Sequence, residues 1–526
     1  MKQRSFELDQ ALAHPDHHKP KTRRDFIAQG FAAGAASVLG APWLAATGHA
    51  GLSDDVLNGA NGANCQLAYG GANKIPFICF DLAGGANIAG SNVLVGGPGG
   101  QRDFLSTAGY SKQGLPGDMA PSVVNPATDT NDFVNEALGL AFHADSQFLA
   151  GIMEKTSEAT RAHINGAVIA ARSENDTGNN PHNPMYGIYK AGAAGALLPL
   201  CGSASSVSGG NSLAPASMID PSARPTKVDR PTDVTGLVDT GGLVGLLSKD
   251  DTVAVMEAMY RISNDKLSAV ETQRVRDEII KDHVRCSYAK SADIVSQFGG
   301  VDLSPLSDAD IVGPDGIFSV EDMADREFRK TASIMKLVLD GPLQSDGTAG
   351  AYAGAGTITM GGYDYHTGDR ATGESRDLRA GRCMGAVLEY AAIKQKPVMM
   401  YVFSDGSVFS NGMTDESEGG RGKGVWTGDN QQTASAFFLV YNPTAKPELL
   451  GASDDEKARR QQIGFMRASG DVETSSSPAA NNVNSLVETV VLNYMALHER
   501  QNNFGSLFER HGLGDLDAMT AFEPIV

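Results

Sequence analysis

An α/β architecture, a mostly parallel central sheet with helices on both faces, is the fold that this 526-residue chain specifies. Three observations point there. Short, unbroken apolar runs such as 75–80, 398–403 and 436–441 are bounded by polar, Gly or Pro residues, the pattern of strands buried on both faces. Stretches of helical period lie between those runs, which asks for strands alternating with helices. Asp and His stand just past the ends of apolar runs, where open α/β sheets place their chemistry.

The elements follow along the chain. Residues 51–73, rich in Gly, Asn and Ala, read as a loose segment. The run 75–80 is a first buried strand, followed by Asp81 and the Gly84-Gly85 pair. Residues 132–162 are expected to be helical, with Phe133, Leu138, Phe142 and Phe148 on apolar faces. A second strand spans 164–171. A polar loop, 175–184, leads into a helix containing Tyr186 and Tyr189. Gly, Ser, Pro and Thr dominate 202–245, which reads as a loop-like insertion outside the core. Residues 250–295 are charged and amphipathic, hence helical. Phe328, Ala332, Met335 and Leu339 recur at helical spacing and predict a helix over 325–339, closed near Gly341-Pro342. A strand at 357–360, a helix over 376–395 and a strand at 398–403 come next. Residues 412–434 and 452–482 read as polar loops, separated by a strand at 436–441. Val483, Val487, Val490, Tyr494 and Leu497 mark a C-terminal helix over 483–510. A single domain is expected over 51–526.

The chain carries 43 basic and 62 acidic residues, a net charge of −19. Such a surface repels phosphate backbones and anionic lipid, which argues against nucleic-acid and peripheral membrane binding. Residues 1–50 read as a twin-arginine signal peptide. Arg23-Arg24 precede Phe26-Ile27 and a weakly apolar run, 31–46, and Gly48-His49-Ala50 offers small residues for cleavage. That run is too short and too Gly-rich for a stable membrane span. The signal implies the twin-arginine export machinery as a partner and a periplasmic or extracellular destination in a bacterium. The five cysteines, Cys65, Cys79, Cys201, Cys286 and Cys383, are scattered and form no CxxC pair. Cys79 and Cys383 sit in apolar surroundings and read as buried thiols.

Gly361-Gly362-Tyr363-Asp364-Tyr365-His366 closes the apolar run 357–360. An Asp and a His two residues apart at a strand exit can both face one ion or one substrate oxygen. Three further segments join it in order: 80–87 (FDLAGGAN), 180–186 (NPHNPMY) and 403–406 (FSDG), the last with Asp429-Asn430 further on. Behind the leader, this set resembles an exported, sulfatase-like family of unknown function within the alkaline phosphatase superfamily. The resemblance implies an alkaline-phosphatase-like sheet and one or two divalent ions held at strand ends. The ligands it implies here are Asp364, His366, Asp405, Asp429 and His182, with Asp81 available from the strand itself. By ligand type, imidazole with carboxylate suits Zn or Mn, and carboxylate alone suits Mg or Ca.

The sequence also departs from that family. Its turn Asp is Asn87, its loop Ser is Pro181, its late Glu is the shorter Asp405 without the Arg that follows, and its Asp-His pair is Asp429-Asn430. Ser173 and Thr177 are the hydroxyls nearest the missing Ser. No GxSxG elbow, Walker loop or HExxH occurs, so those chemistries have no signal. Two readings stand: a metal-dependent hydrolase of phosphate or sulfate esters with a partly degenerate site, and a catalytically inactive relative acting as an extracytoplasmic binding or assembly protein, whose partner is an assembly partner or a second copy.

Overall fold

The computed structural model describes residues 52–62, 74–124, 133–174, 179–238, 246–271, 277–341 and 350–526. The segment expected to be a signal peptide, with Arg23 and Arg24, lies outside them, as do Cys65 and Thr177. The chain forms two compact units. The smaller takes in the N-terminal segment through Leu67 together with Thr235–Asp302; the larger takes in Ala68–Val234 and Leu303–Val526.

The smaller unit is helical. Helix Lys249–Ser268 starts at Ser248, whose hydroxyl accepts from Asp251 N, and carries Asp250 and Asp251 in its first turn, where the helix dipole favours acid. Its Met256 and Tyr260 pack with Ala289, Ala292 and Val295 of helix Asp277–Phe298, and helix Asp54–Gly62 adds Val56 and Ala60. Cys286 of this unit is disulfide-bonded.

The larger unit holds the sheet. Its strands are β1 (Phe77–Leu82), β2 (Val134–Asn135), β3 (Phe142–His143), β4 (Ile164–Ile169), β5 (Cys201–Gly202), β6 (Thr226–Lys227), β7 (Ala355–Met360), β8 (Val398–Ser404), β9 (Val408–Asp415), β10 (Lys423–Asp429), β11 (Ala436–Tyr441) and β12 (Gln462–Ile463). Eight of them form one sheet in the order β12-β4-β11-β8-β1-β7-β5-β6. Among the described strands of that sheet only β11 runs against its neighbours. All of β1, β4, β8 and β11 is buried, as their unbroken apolar runs require.

Helices cover both faces. On one, Phe77, Cys79, Tyr401, Phe403 and Phe438 pack against Leu486, Val487, Val490 and Tyr494 of helix Val483–Ala496. On the other, Gly356 of β7 receives Ile334 and Val338 from helix Arg326–Leu339. Helices Gln147–Lys155 and Arg370–Ile393 lie close together there, because a Cβ on Gly381 would stand 2.3 Å from the Phe148 carbonyl oxygen. Among the described residues no helix is long and apolar enough to cross a membrane.

Several loops and helices differ from expectation. Of the stretch expected to be helical, the described residues 133–162 form the β2–β3 hairpin and two short helices, Gln147–Lys155 and Glu158–Ala162, since Gly139 turns the chain with φ +78. The stretch 412–434 falls largely in a bulged hairpin, β9 with β10, whose outward residues hide its alternation. The stretch 452–482 contains helix Asp454–Gln461 and β12. The C-terminal helix ends at Ala496 rather than near 510. The Ser/Gly-rich stretch supplies core: β5 ends and β6 lies within it, and Ser208, Ser212, Ala223, Val228 and Val234 are buried.

Candidate functional site

The exits of β1, β7 and β8 are stitched together at one end of the sheet. Past β1, Gly84 and Gly85 have φ of +117 and +107, a conformation that favours glycine. A Cβ on Gly84 would stand 2.6 Å from Asp364 N. The Ser404 hydroxyl accepts from Gly85 N at 3.2 Å and Ala86 N at 2.9 Å and donates to the Leu82 carbonyl at 2.6 Å. Tyr363 N donates to the Ala83 carbonyl at 3.1 Å. Gly84 therefore sits between Asp364 and Asp405, whose Oδ1 accepts from Gly84 N at 2.9 Å.

Past β7 the chain alternates. Tyr363 and Tyr365 are buried, while Asp364 is exposed and His366 partly so. The Tyr365 hydroxyl accepts from Asn87 N at 2.9 Å, and its ring lies 6.5 Å from Trp426. Gly368 N donates to the Trp426 carbonyl at 2.7 Å, which ties the loop to β10. That anchoring turns Asp364 and His366 outward together, the physical content of the Asp-x-His spacing.

The β9–β10 hairpin brings the third group. Asp429, the last residue of β10, pairs with Val408, and Asn430 N donates to the Ser407 carbonyl at 2.9 Å. His366 Nδ1 is 2.5 Å from Asp364 Oδ1 and 3.1 Å from Asp429 Oδ1. Neither contact has hydrogen-bond geometry, although Nδ1 is buried. Asp364, His366 and Asp429 each offer a ligand atom within 4.8 Å of the others. A nitrogen lone pair and two carboxylate oxygens held this close suit a shared divalent cation, and the mixed nitrogen and oxygen donors fit Zn or Mn.

Asp81 and Asp405 form a second, buried pair. Asp81 Oδ2 accepts from Asn211 N at 2.7 Å and Ser212 N at 2.9 Å, and its Oδ1 accepts from the Ser212 hydroxyl at 3.3 Å. The Asn211 amide reaches across to Asp405 Oδ2 at 3.0 Å. Burial, with the Asp405 charge adding to it, raises the Asp81 carboxyl to about 7. Gly210 is required here, since its Cβ would lie 2.6 Å from Asp81 Oδ2.

His182 stands apart from the cluster. It is buried and stacks on Phe403 with ring centroids 6.1 Å apart. Among the described residues neither ring nitrogen has a hydrogen-bond partner, and burial lowers its pKa to about 3. Ser173, one of the two stand-in hydroxyls, is buried with its Oγ unpartnered.

A cavity of about 370 Å³ adjoins the cluster at Asp429, lined also by Arg172, Glu174, Ser407, Asn430 and Gln431. Arg172 donates to Asn481 Oδ1 at 2.6 Å and Gln431 Oε1 at 3.0 Å, and its Nε is buried without a partner. Sequence reasoning missed Arg172, Asn211 and Ser212. Arg172 follows the second strand directly, and that position was its only signal.

Fold and site together define a class: an α/β protein that gathers carboxylates and a histidine at the carboxyl ends of its central strands. No protein-family model, curated protein or solved structure matches the chain.

Proposed function

We propose that this is an exported, metal-dependent hydrolase of phosphate or sulfate esters with a partly degenerate site. The observation that carries the reading is the meeting of Asp364, His366 and Asp429 beside a cavity that also presents Arg172. Those three residues would hold one divalent ion, which supplies Lewis-acid polarisation of an ester oxygen. Arg172, held by Asn481 and Gln431, orients the oxyanion through its fixed fork of N–H donors. The disulfide at Cys286 supports an oxidising compartment, in keeping with a twin-arginine leader and a periplasmic or extracellular location.

The alternative is an inactive relative that binds an assembly partner. One observation favours it: Asp81 and Asp405 accept hydrogen bonds from Asn211, Ser212 and Gly84. Protein donors stand where a second ion would need those oxygens. Metal analysis of the purified protein, with nitrophenyl phosphate and nitrophenyl sulfate as substrates, separates the two. The hydrolase reading expects bound Zn or Mn and turnover, both lost in His366→Ala. A metal-free protein with no turnover leaves the binding reading standing.

A further inference from the structure

Helix Arg370–Ile393 carries Arg376, Arg379 and Arg382 at three-residue spacing, which places them on one face. All three line a cavity of about 730 Å³ whose single acidic lining residue is Asp325. Arg379 meets Asp325 at 3.6 Å, and Arg382 meets Glu154 at 2.7 Å. Arg376 has no acidic partner among the described residues.

Its guanidinium packs over Gly362 instead. A Cβ there would stand 2.7 Å from Arg376 Cζ, and Gly362 has φ +91. The second glycine of the Gly-Gly pair thus opens the slot that Arg376 fills. Two residues on is Asp364, no more than about 7 Å along the chain. Like charges at this helical spacing repel, so the trio costs helix stability. Asp325 answers Arg379 and Glu154 answers Arg382, so in a protein of net charge −19 this cavity keeps one uncompensated positive charge, on Arg376, that attracts anions.

We propose that this cavity is an anion subsite for a second oxyanion group of the substrate. The proposal rests on the hydrolase reading above and names its substrate class: an ester bearing at least two sulfate or phosphate groups, one at the Asp364–His366–Asp429 cluster and one at Arg376. Guanidinium forks match tetrahedral oxyanions through paired N–H bonds, which a lysine ammonium cannot reproduce.

Calorimetric titration tests it, with the full-length protein held first in chelator and then in zinc. The probes are glucose 1,6-bisphosphate against glucose 6-phosphate, and a disulfated against a monosulfated disaccharide; the two pairs distinguish phosphate from sulfate. In chelator, wild type binds at least one two-anion probe, and added salt weakens it. Arg376→Gln weakens it at least tenfold, and Arg376→Lys less. In zinc, the two-anion probe outbinds its one-anion analogue at least tenfold in wild type, and the advantage vanishes in Arg376→Gln. Equal affinity in wild type and in an Arg376→Gln protein of unchanged melting temperature overturns the subsite, as does failure of wild type to bind any probe. Zinc binding is read separately: anion binding in chelator without any zinc uptake keeps the subsite and overturns the hydrolase reading.

Discussion

Asp81 and Asp405 are buried, whereas the side chains of Asp364 and Asp429 are 59% and 52% exposed, although all four stand at the same end of the sheet. The buried pair is answered by donors of the protein itself, from Asn211, Ser212 and Gly84. The exposed pair converges on one imidazole nitrogen. An unanswered buried carboxylate is costly, so the chain had to supply N–H groups there. Near solvent the same grouping persists at low cost and is open to an added cation. One set of acids thus divides into a pair committed to the fold and a pair that the fold leaves available.

The contrast breaks most sharply at Asp405. Asp405→Ala leaves Gly84 N and the Asn211 amide without that acceptor and should cost about 4 kcal/mol in denaturant unfolding. His366→Ala in chelator should change stability by less than about 0.5 kcal/mol. Equal losses would erase the distinction between the two groups.

The pH dependence of Asp81 is next in size. Its folded pKa, about 7, lies above the ordinary carboxylate value, so the folded state holds this proton more tightly than the unfolded chain. Its contribution to stability therefore falls as pH rises from about 4 to about 7 and is level above that. Asp81→Asn should gain on wild type across that window by roughly 3 to 4 kcal/mol. A constant difference between the two proteins would show that burial and the Asp405 charge do not raise the Asp81 carboxyl.

Cation addition sharpens the comparison further. Zn or Mn at a hundredfold excess over its dissociation constant should stabilise wild type by about 2.7 kcal/mol, read as a rise in melting temperature. Asp364→Asn should abolish the rise, while Asp81→Asn should keep it.

His182 gives the smallest effect at neutral pH, with a sign opposite to that of Asp81. Its folded pKa, about 3, lies below the ordinary value, so its stability contribution is present above about 6.5 and lost as pH falls towards 3. His182→Phe keeps the stack on Phe403 and removes the titration. The variant should match wild type at pH 7.5 within about 0.5 kcal/mol and exceed it increasingly below pH 6. His143 and His498, both lowered to about 4 by burial, leave residual acid sensitivity in each protein.

Much of the sheet was legible because burial on both faces writes itself as an unbroken apolar run. The strand expected at 436–441 is β11, and the helix expected over 325–339 is Arg326–Leu339. Asp364 and His366 were legible from glycine and spacing. The hairpin that delivers Asp429 was not, since its outward residues are polar and its register is bulged. Asn211 and Ser212 were hidden for a different reason. Ser and Gly composition says that a segment turns, but not which carboxylate its backbone N–H groups will meet. The arginine face of helix Arg370–Ile393 went unread in the sequence, because its meaning required the slot above Gly362.

The sheet has one further property, set by its margins. Both outermost strands, β6 and β12, are two residues long, and β6 carries Lys227. Long, apolar β1, β8 and β11 lie inside, each paired on both sides. A sheet this rich in Val, Ile, Phe and Tyr is a template for aggregation wherever a long strand stands at the rim. Here each outermost strand offers an incoming chain two residues of edge, with a charge on β6, so the folded protein should resist strand-to-strand polymerisation at concentrations where its unfolded chain precipitates.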